Sequence, residues 1–299
     1  MNKDSLYIIG NGFDIHHGIN SRYSDFKNYL LGVDKSLHKL ITEYIPTEEN
    51  WSDLEQALAD TDRDSITDYA LQFLKSYGAD DWSDSYHHDY QYEIDKIIQG
   101  LSTNLKNRFA EWITQLYIPK HADVEGRIIS IDKNAQFLSF NYTSTLSVIY
   151  GVPKDNILFI HGKAGSSNQE IVLGHAWSPN LSQKGVSLDE DIEDPRVVEG
   201  NEIINEFFKK TFKNAQGIIA QNLSFFTNLR RVSNIYILGH SLSSVDINYF
   251  EEIIKNIDID KVQWKISFFG SDELGRHKAT IKKLGVDNSK VIFCELKDF

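Results

Sequence analysis

Apolar residues follow two rhythms along this chain. Short compact runs recur at Leu6-Tyr-Ile-Ile9, Gln136-Phe-Leu-Ser-Phe140, Asn156-Ile-Leu-Phe-Ile160, Ile235-Tyr-Ile-Leu238, Gln263 to Phe269 and Val291 to Glu295. Such runs, rich in β-branched and aromatic residues and bounded by polar ones, predict buried strands; Glu170 to Gly174 is a weaker candidate. Elsewhere apolar positions recur every three or four residues. Tyr23, Phe26, Tyr29 and Leu30 predict one helix, and Ile94, Ile97, Ile98, Leu101, Leu105, Phe109 and Ile113 predict a single long one. Helices are also expected across about 201–230, 246–257 and 273–284. The last third alternates strand and helix, the signature of parallel crossovers, so the fold class is α/β with a Rossmann-like parallel sheet. Residues of about 36–128 lack a convincing strand and read as a helical insertion. The stretch of about 178–200 is acidic, carries Pro179, Gly185 and Pro195, and reads as a loop or lid. The whole of 1–299 is expected to form a single α/β domain, without internal repeats.

Composition narrows the function classes. A hydrophobic share of 41% over 299 residues supplies a normal core. No run approaches the roughly 18 apolar residues of a membrane span. One cysteine, Cys294, excludes an internal disulfide framework and a cysteine zinc site. A cytoplasmic protein without membrane contact is the expectation. The formal charge of −12 argues against extended nucleic-acid binding, because phosphate backbones demand clustered Lys and Arg. The best clusters, Lys209-Lys210 with Lys213, Arg230-Arg231 and Lys282-Lys283, read as solvated helix ends or loops. His16-His17 and His87-His88 are adjacent pairs, which do not share a helix face, so no metal site is expected.

The chemistry concentrates just beyond strand ends, where open parallel sheets bind their ligands. Gly10-Asn11-Gly12-Phe13-Asp14 follows the first strand. Its glycines permit a tight turn and could offer amides to a phosphate, although Ile15 replaces the third glycine of the common dinucleotide fingerprint. Asn141, in Ser139-Phe-Asn-Tyr-Thr143, can hold a ribose hydroxyl or a water; an Asx turn is the plainer reading. His161, in Phe159-Ile-His-Gly162, is a candidate general base, with His175 a weaker one. In Leu238-Gly-His-Ser-Leu-Ser243, the closing glycine of a nucleophile elbow is replaced by Ser243, so Gly239, Ser241 and Asp246 suit ribose or phosphate contacts better than a serine nucleophile. Trp51-Ser-Asp-Leu-Glu55 opens a helix, with Ser52 as cap and Asp53 and Glu55 favouring the dipole.

Taken together and in this order, the motifs resemble the AbiH-type bacteriophage abortive-infection family. The resemblance rests on Ile8-Ile-Gly-Asn-Gly-Phe-Asp-Ile15, His17-Gly18, Tyr23-Ser-Asp-Phe26 and Trp51-x-x-x-Glu55. It continues through Phe140-Asn-Tyr-Thr143, Ile160-His-Gly162, Gly239-His-Ser-Leu-Ser-x-x-Asp246 and Tyr249-Phe250. A more distant similarity is to the sirtuin-like domains of bacterial anti-phage NAD-degrading proteins, with Asn141 and His161 at the matching asparagine and histidine. The first loop reads Gly-Asn-Gly rather than Gly-Ala-Gly, Thr143 stands where an Asp is usual, and zinc-binding cysteines are missing.

The resemblance implies an anti-phage toxin that hydrolyses the N-glycosidic bond of NAD or a related nucleotide, taken as substrate with no cofactor required. In that expectation Asn141 and His161 are catalytic, and Gly10, Asn11, Gly12, Asp14, Glu55, Gly239, Ser241 and Asp246 bind the nucleotide. A phage-derived or partner-protein activator, and self-association into a homo-oligomer, are compatible with it. The rival expectations are a nucleotide-sensing module without turnover and a nuclease-type toxin.

Overall fold

The computed structural model describes residues 4–80, 82–165, 171–178 and 194–299. Six strands form one all-parallel sheet: β1 (Ser5–Ile9), β2 (Gln136–Ser139), β3 (Ile157–Phe159), β4 (Asn234–Leu238), β5 (Gln263–Ser267) and β6 (Val291–Cys294). Their order is β3-β2-β1-β4-β5-β6. This is the Rossmann-like α/β arrangement. The two-residue period of β1 explains its central place: Leu6 and Ile8 enter the apolar cluster on one face, Tyr7 and Ile9 that on the other. Tyr7 stacks on Phe137 at 5.0 Å and on Tyr236 at 4.6 Å, welding β2, β1 and β4 on that second face. The chain steps from β1 to β2 on one side and resumes with β4 on the other. The strand order therefore reverses between β1 and β4, the switch point where such sheets open a crevice.

The chain divides into two compact units. The first comprises Met1–Arg22, Ala110–Val172 and Asn214–Phe299 and holds the sheet; the second comprises Tyr23–Phe109 and Leu173–Lys213. No strand occurs between β1 and β2, and the second unit draws on Tyr23–Phe109 of that stretch together with the later segment Leu173–Lys213. The reason lies in the helix Pro195–Lys210, whose Gly200 lies against Tyr90 and Ile94 of the helix Asp89–Gln99. A Cβ at Gly200 would come within 2.5 Å of the Tyr90 ring, so only glycine permits this approach.

Most predicted elements occur with shifted edges. The long helix expected over 94–113 is two α-helices, Asp89–Gln99 and Leu105–Gln115, joined through a π-helical stretch, Gly100–Asn104. The helix expected across 201–230 starts at Pro195 and breaks after Lys210, to resume as Ala215–Gln221 and Leu223–Thr227. Residues 171–174 form no strand, and Glu170 lies outside the described residues. The acidic loop of about 178–200 also falls largely outside them, and from Pro195 onward it is helix. No helix among the described residues is long and apolar enough to cross a membrane.

Candidate functional site

In the first unit, the residues just beyond β1, β2, β3 and β4 gather two linked polar groups under an aromatic cover. The first group centres on Asp14, in the short helix Asn11–His16 that β1 feeds directly. Asp14 is 1% exposed, and its Oδ2 accepts the Thr143 hydroxyl at 2.6 Å. Thr143 also meets Thr145 hydroxyl to hydroxyl at 3.0 Å. Burial pushes the Asp14 carboxyl up to about 6, against the opposing pull of Thr143, Thr145 and the Asn141 amide. Asp14 Oδ1 and Asn141 Nδ2 are both buried, and neither makes a hydrogen bond of good geometry among the described residues. The Asn141 amide acts on the Asp14 carboxyl, but without good geometry each atom is only partly satisfied, which is costly in a buried place.

The second group joins β3 to β4. His161, 3% exposed, directs Nε2 at Asp246 Oδ1 from 3.4 Å, and His240 directs Nε2 at Asp246 Oδ2 from 3.6 Å. One carboxylate therefore lies between two imidazoles. Phe140 covers both rings edge-on, at 5.1 Å from His161 and 4.3 Å from His240, and Tyr249 and Phe250 complete the enclosure. Beyond β5, the helix Gly270–Lys283 brings His277 within electrostatic reach of His240; burial drives the His277 imidazole down to about 4.

The glycines have a definite job here. Gly12 N–H donates to Gly239 O at 2.7 Å, and Gly10 N–H donates to Leu238 O at 3.0 Å. A Cβ on Gly239 would sit 2.1 Å from Phe13 N, and one on Gly10 would sit 2.5 Å from His240 Cα. The Gly-Asn-Gly turn and the β4 turn thus touch backbone to backbone across the switch point. The phosphate cradle expected of Gly10, Asn11 and Gly12 gains no support from these groups. Both glycine amides are given away inside the fold, and the Asn11 side chain exchanges hydrogen bonds with Ser21 at 2.8 and 2.6 Å. Ser241 is exposed on its turn, and the left-handed residue there is Leu242 (φ 53°), so the strained position of a nucleophile elbow is not the serine's.

Glu55 belongs to the second unit and is fully engaged there. The Tyr23 hydroxyl donates to its Oε1, and the Lys213 ammonium, completely buried, donates to Oε2 at 2.5 Å. Nor does Ser52 cap the helix Leu54–Ala57; Asp53 occupies the cap position and turns its carboxylate to Glu48 N–H, while the Ser52 hydroxyl donates to the Glu48 carboxylate. Trp51 holds left-handed backbone (φ 58°) with its ring buried against Phe26 and His38. His175 is fully buried in the same unit, among Trp177, Phe208 and Phe212, and burial holds its imidazole down at about 4. His17 is spent in the first unit, between Phe13 O and the Tyr150 hydroxyl, each at 2.7 Å.

Sequence reasoning missed His240 and the Thr143–Thr145 pair as site groups. His240 had a signal: it follows a strand end, as His161 does. The threonines had one only in hindsight of packing, since a hydroxyl that serves a buried carboxylate looks like any turn threonine.

These features define an α/β protein with a polar cluster at the carboxyl edge of a parallel sheet. The family model for bacteriophage abortive infection AbiH matches residues 6–268, and the chain belongs to that family. Membership supports an anti-phage abortive-infection role. A comparison with curated proteins finds no match.

Proposed function

We propose that this chain serves abortive infection by hydrolysing the N-glycosidic bond of NAD or a related nucleotide at the carboxyl edge of its sheet. The observation that carries this reading is the pair of poorly satisfied buried atoms, Asp14 Oδ1 and Asn141 Nδ2, in the same unit as the His161–Asp246 pair. A ribose presents hydroxyls that both donate and accept, which is what a poorly satisfied carboxylate oxygen and a poorly satisfied amide N–H require. In the reaction the bond from ribose C1 to the ring nitrogen breaks, and neutral nicotinamide departs with the bonding pair. Water adds at C1 and gives its proton to His161. Asn141 orients the ribose or the water, and the Asp14 carboxylate stabilises the positive charge that develops on the sugar. Asn141 and His161 are 6% and 3% exposed, so a ligand enters only if the edge opens. A resting chain closed in this way is silent until an activator opens it, as a self-killing defence requires.

The same burial favours a second reading, a sensing module that binds the nucleotide without turnover. Incubation of the purified chain with NAD, with nicotinamide and ADP-ribose quantified, separates the two. The first reading expects turnover that falls at least about 100-fold in both Asn141→Ala and His161→Ala. Thermal stabilisation by NAD without product selects the sensor. Neither product nor stabilisation sinks both.

A further inference from the structure

The turn that leaves β4 is built around His240 rather than around the serine beside it. Gly239 and Leu242 both take left-handed backbone, at φ 63° and 53°, and the Leu242 N–H donates to His240 Nδ1 at 2.9 Å. A neutral imidazole that accepts at Nδ1 carries its proton on Nε2. That nitrogen faces Asp246 Oδ2, and the other carboxylate oxygen faces His161 Nε2. Phe140 and Phe250, at 4.3 and 5.1 Å, hold the His240 ring edge-on and leave it little freedom to turn away. Both Asp246 distances are somewhat longer than a hydrogen bond, the usual state of such contacts before a ligand tightens them.

We infer that His240 is a positioning residue: it presents a fixed Nε2–H to Asp246, and Asp246 thereby fixes the ring and tautomer of His161. Held so, His161 keeps its own proton on Nε2, toward the carboxylate, and offers Nδ1 as the accepting nitrogen. The inference rests on the hydrolytic reading in taking His161 as the group that receives the proton from water. Tyr142 and Tyr249 lie beside His161, at 6.2 and 5.7 Å between rings, and His277 and Glu273 act on His240 from the helix Gly270–Lys283.

Imidazole 15N NMR on the intact chain tests this without any turnover. His240 is expected as the Nε2–H tautomer in the wild-type protein. In His240→Asn the side chain still accepts from Leu242 N–H but no longer reaches Asp246. Asp246 is then free to turn, and His161 should lose its single Nε2–H tautomer, read as averaged 15N shifts of its two ring nitrogens. His240→Gln carries an amide donor at the reach of Nε2 and should restore the single tautomer. A proton found on His240 Nδ1 in the wild type, or an unchanged His161 tautomer in His240→Asn, would overturn the inference. A wild-type chain inert to NAD defeats the hydrolytic reading instead, and leaves the NMR result to judge the positioning role.

Discussion

Each unit holds a carboxylate with unusual company, Asp14 buried and Glu55 half-buried against a buried lysine, and the two are treated in opposite ways. In the second unit, both oxygens of Glu55 are taken, one by the Tyr23 hydroxyl and one by the Lys213 ammonium. In the first unit, Asp14 has one oxygen on Thr143 and the other poorly satisfied, next to a poorly satisfied Asn141 amide. A buried charge with its partners complete is structure: it was desolvated at a cost and then paired. A buried carboxyl with one oxygen poorly satisfied has given up stability for something the fold itself does not contain. The contrast separates two motifs that look equally pointed in the sequence, Trp51-x-x-x-Glu55 and Asn141 with Asp14. On the proposed function, the first belongs to the frame of the second unit and the second to the ligand.

The contrast can be broken from the structural side first. Glu55→Leu leaves the fully buried Lys213 ammonium without its carboxylate and should destabilise the protein by about 3 to 5 kcal/mol in denaturant unfolding. The double variant with Lys213→Met should regain most of that loss, since an apolar pair avoids the desolvation cost. A single variant that costs little would mean that Glu55 is not tied into the frame.

Asp14 supplies the next largest effect, with the opposite sign. Its folded carboxyl titrates near 6 against 3.8 for the free side chain, so the folded chain holds that proton more tightly than the unfolded one does. The stabilisation is fully present below about pH 3.8 and is lost as pH rises through 6. At pH 8 the ionised group costs up to about 3 kcal/mol, which Asp14→Asn should return while it flattens the difference between pH 4 and 6. His175 and His277, held down at about 4, act the other way, losing stability as pH falls toward 4. Both are present in wild type and variant, so subtraction isolates Asp14. Equal stability of the two proteins across that window would show that Asp14 is not strained by burial.

The smallest effect is the most telling. Asn141→Ala should change stability by no more than about 1 kcal/mol, because its amide meets Asp14 without a hydrogen bond of good geometry. A large loss would place Asn141 in the frame alongside Glu55.

Much of this layout was legible in the sequence, for physical reasons that can be named. Strands buried on both faces read as unbroken apolar runs, so β1, β2 and β4 stood out, and the ends of β2, β3 and β4 marked where Asn141, His161 and Asp246 were expected. Hydrophobic patterning does not register helix packing that depends on one glycine, which is why Gly200 and the Pro195–Lys210 helix were not tied to the earlier helices. The Gly-Asn-Gly turn was legible as a turn but not as a contact, because its neighbour Gly239 lies more than two hundred positions away. The Glu55 pair was hidden for the same reason: its partner Lys213 is distant in the chain and reads there as part of a solvated basic cluster.

The central claim is that the poorly satisfied atoms beyond β1 and β2 await a nucleotide, while the Glu55 pair does not. Calorimetric titration with NAD of the wild type, Asn141→Ala and the Lys213→Met/Glu55→Leu double variant tests it most directly. The account predicts binding by the wild type, at least about a tenfold loss in Asn141→Ala, equivalent to 1.4 kcal/mol or more, and wild-type affinity in the double variant. Undiminished binding by Asn141→Ala, or binding lost only with the Glu55 pair, would contradict it.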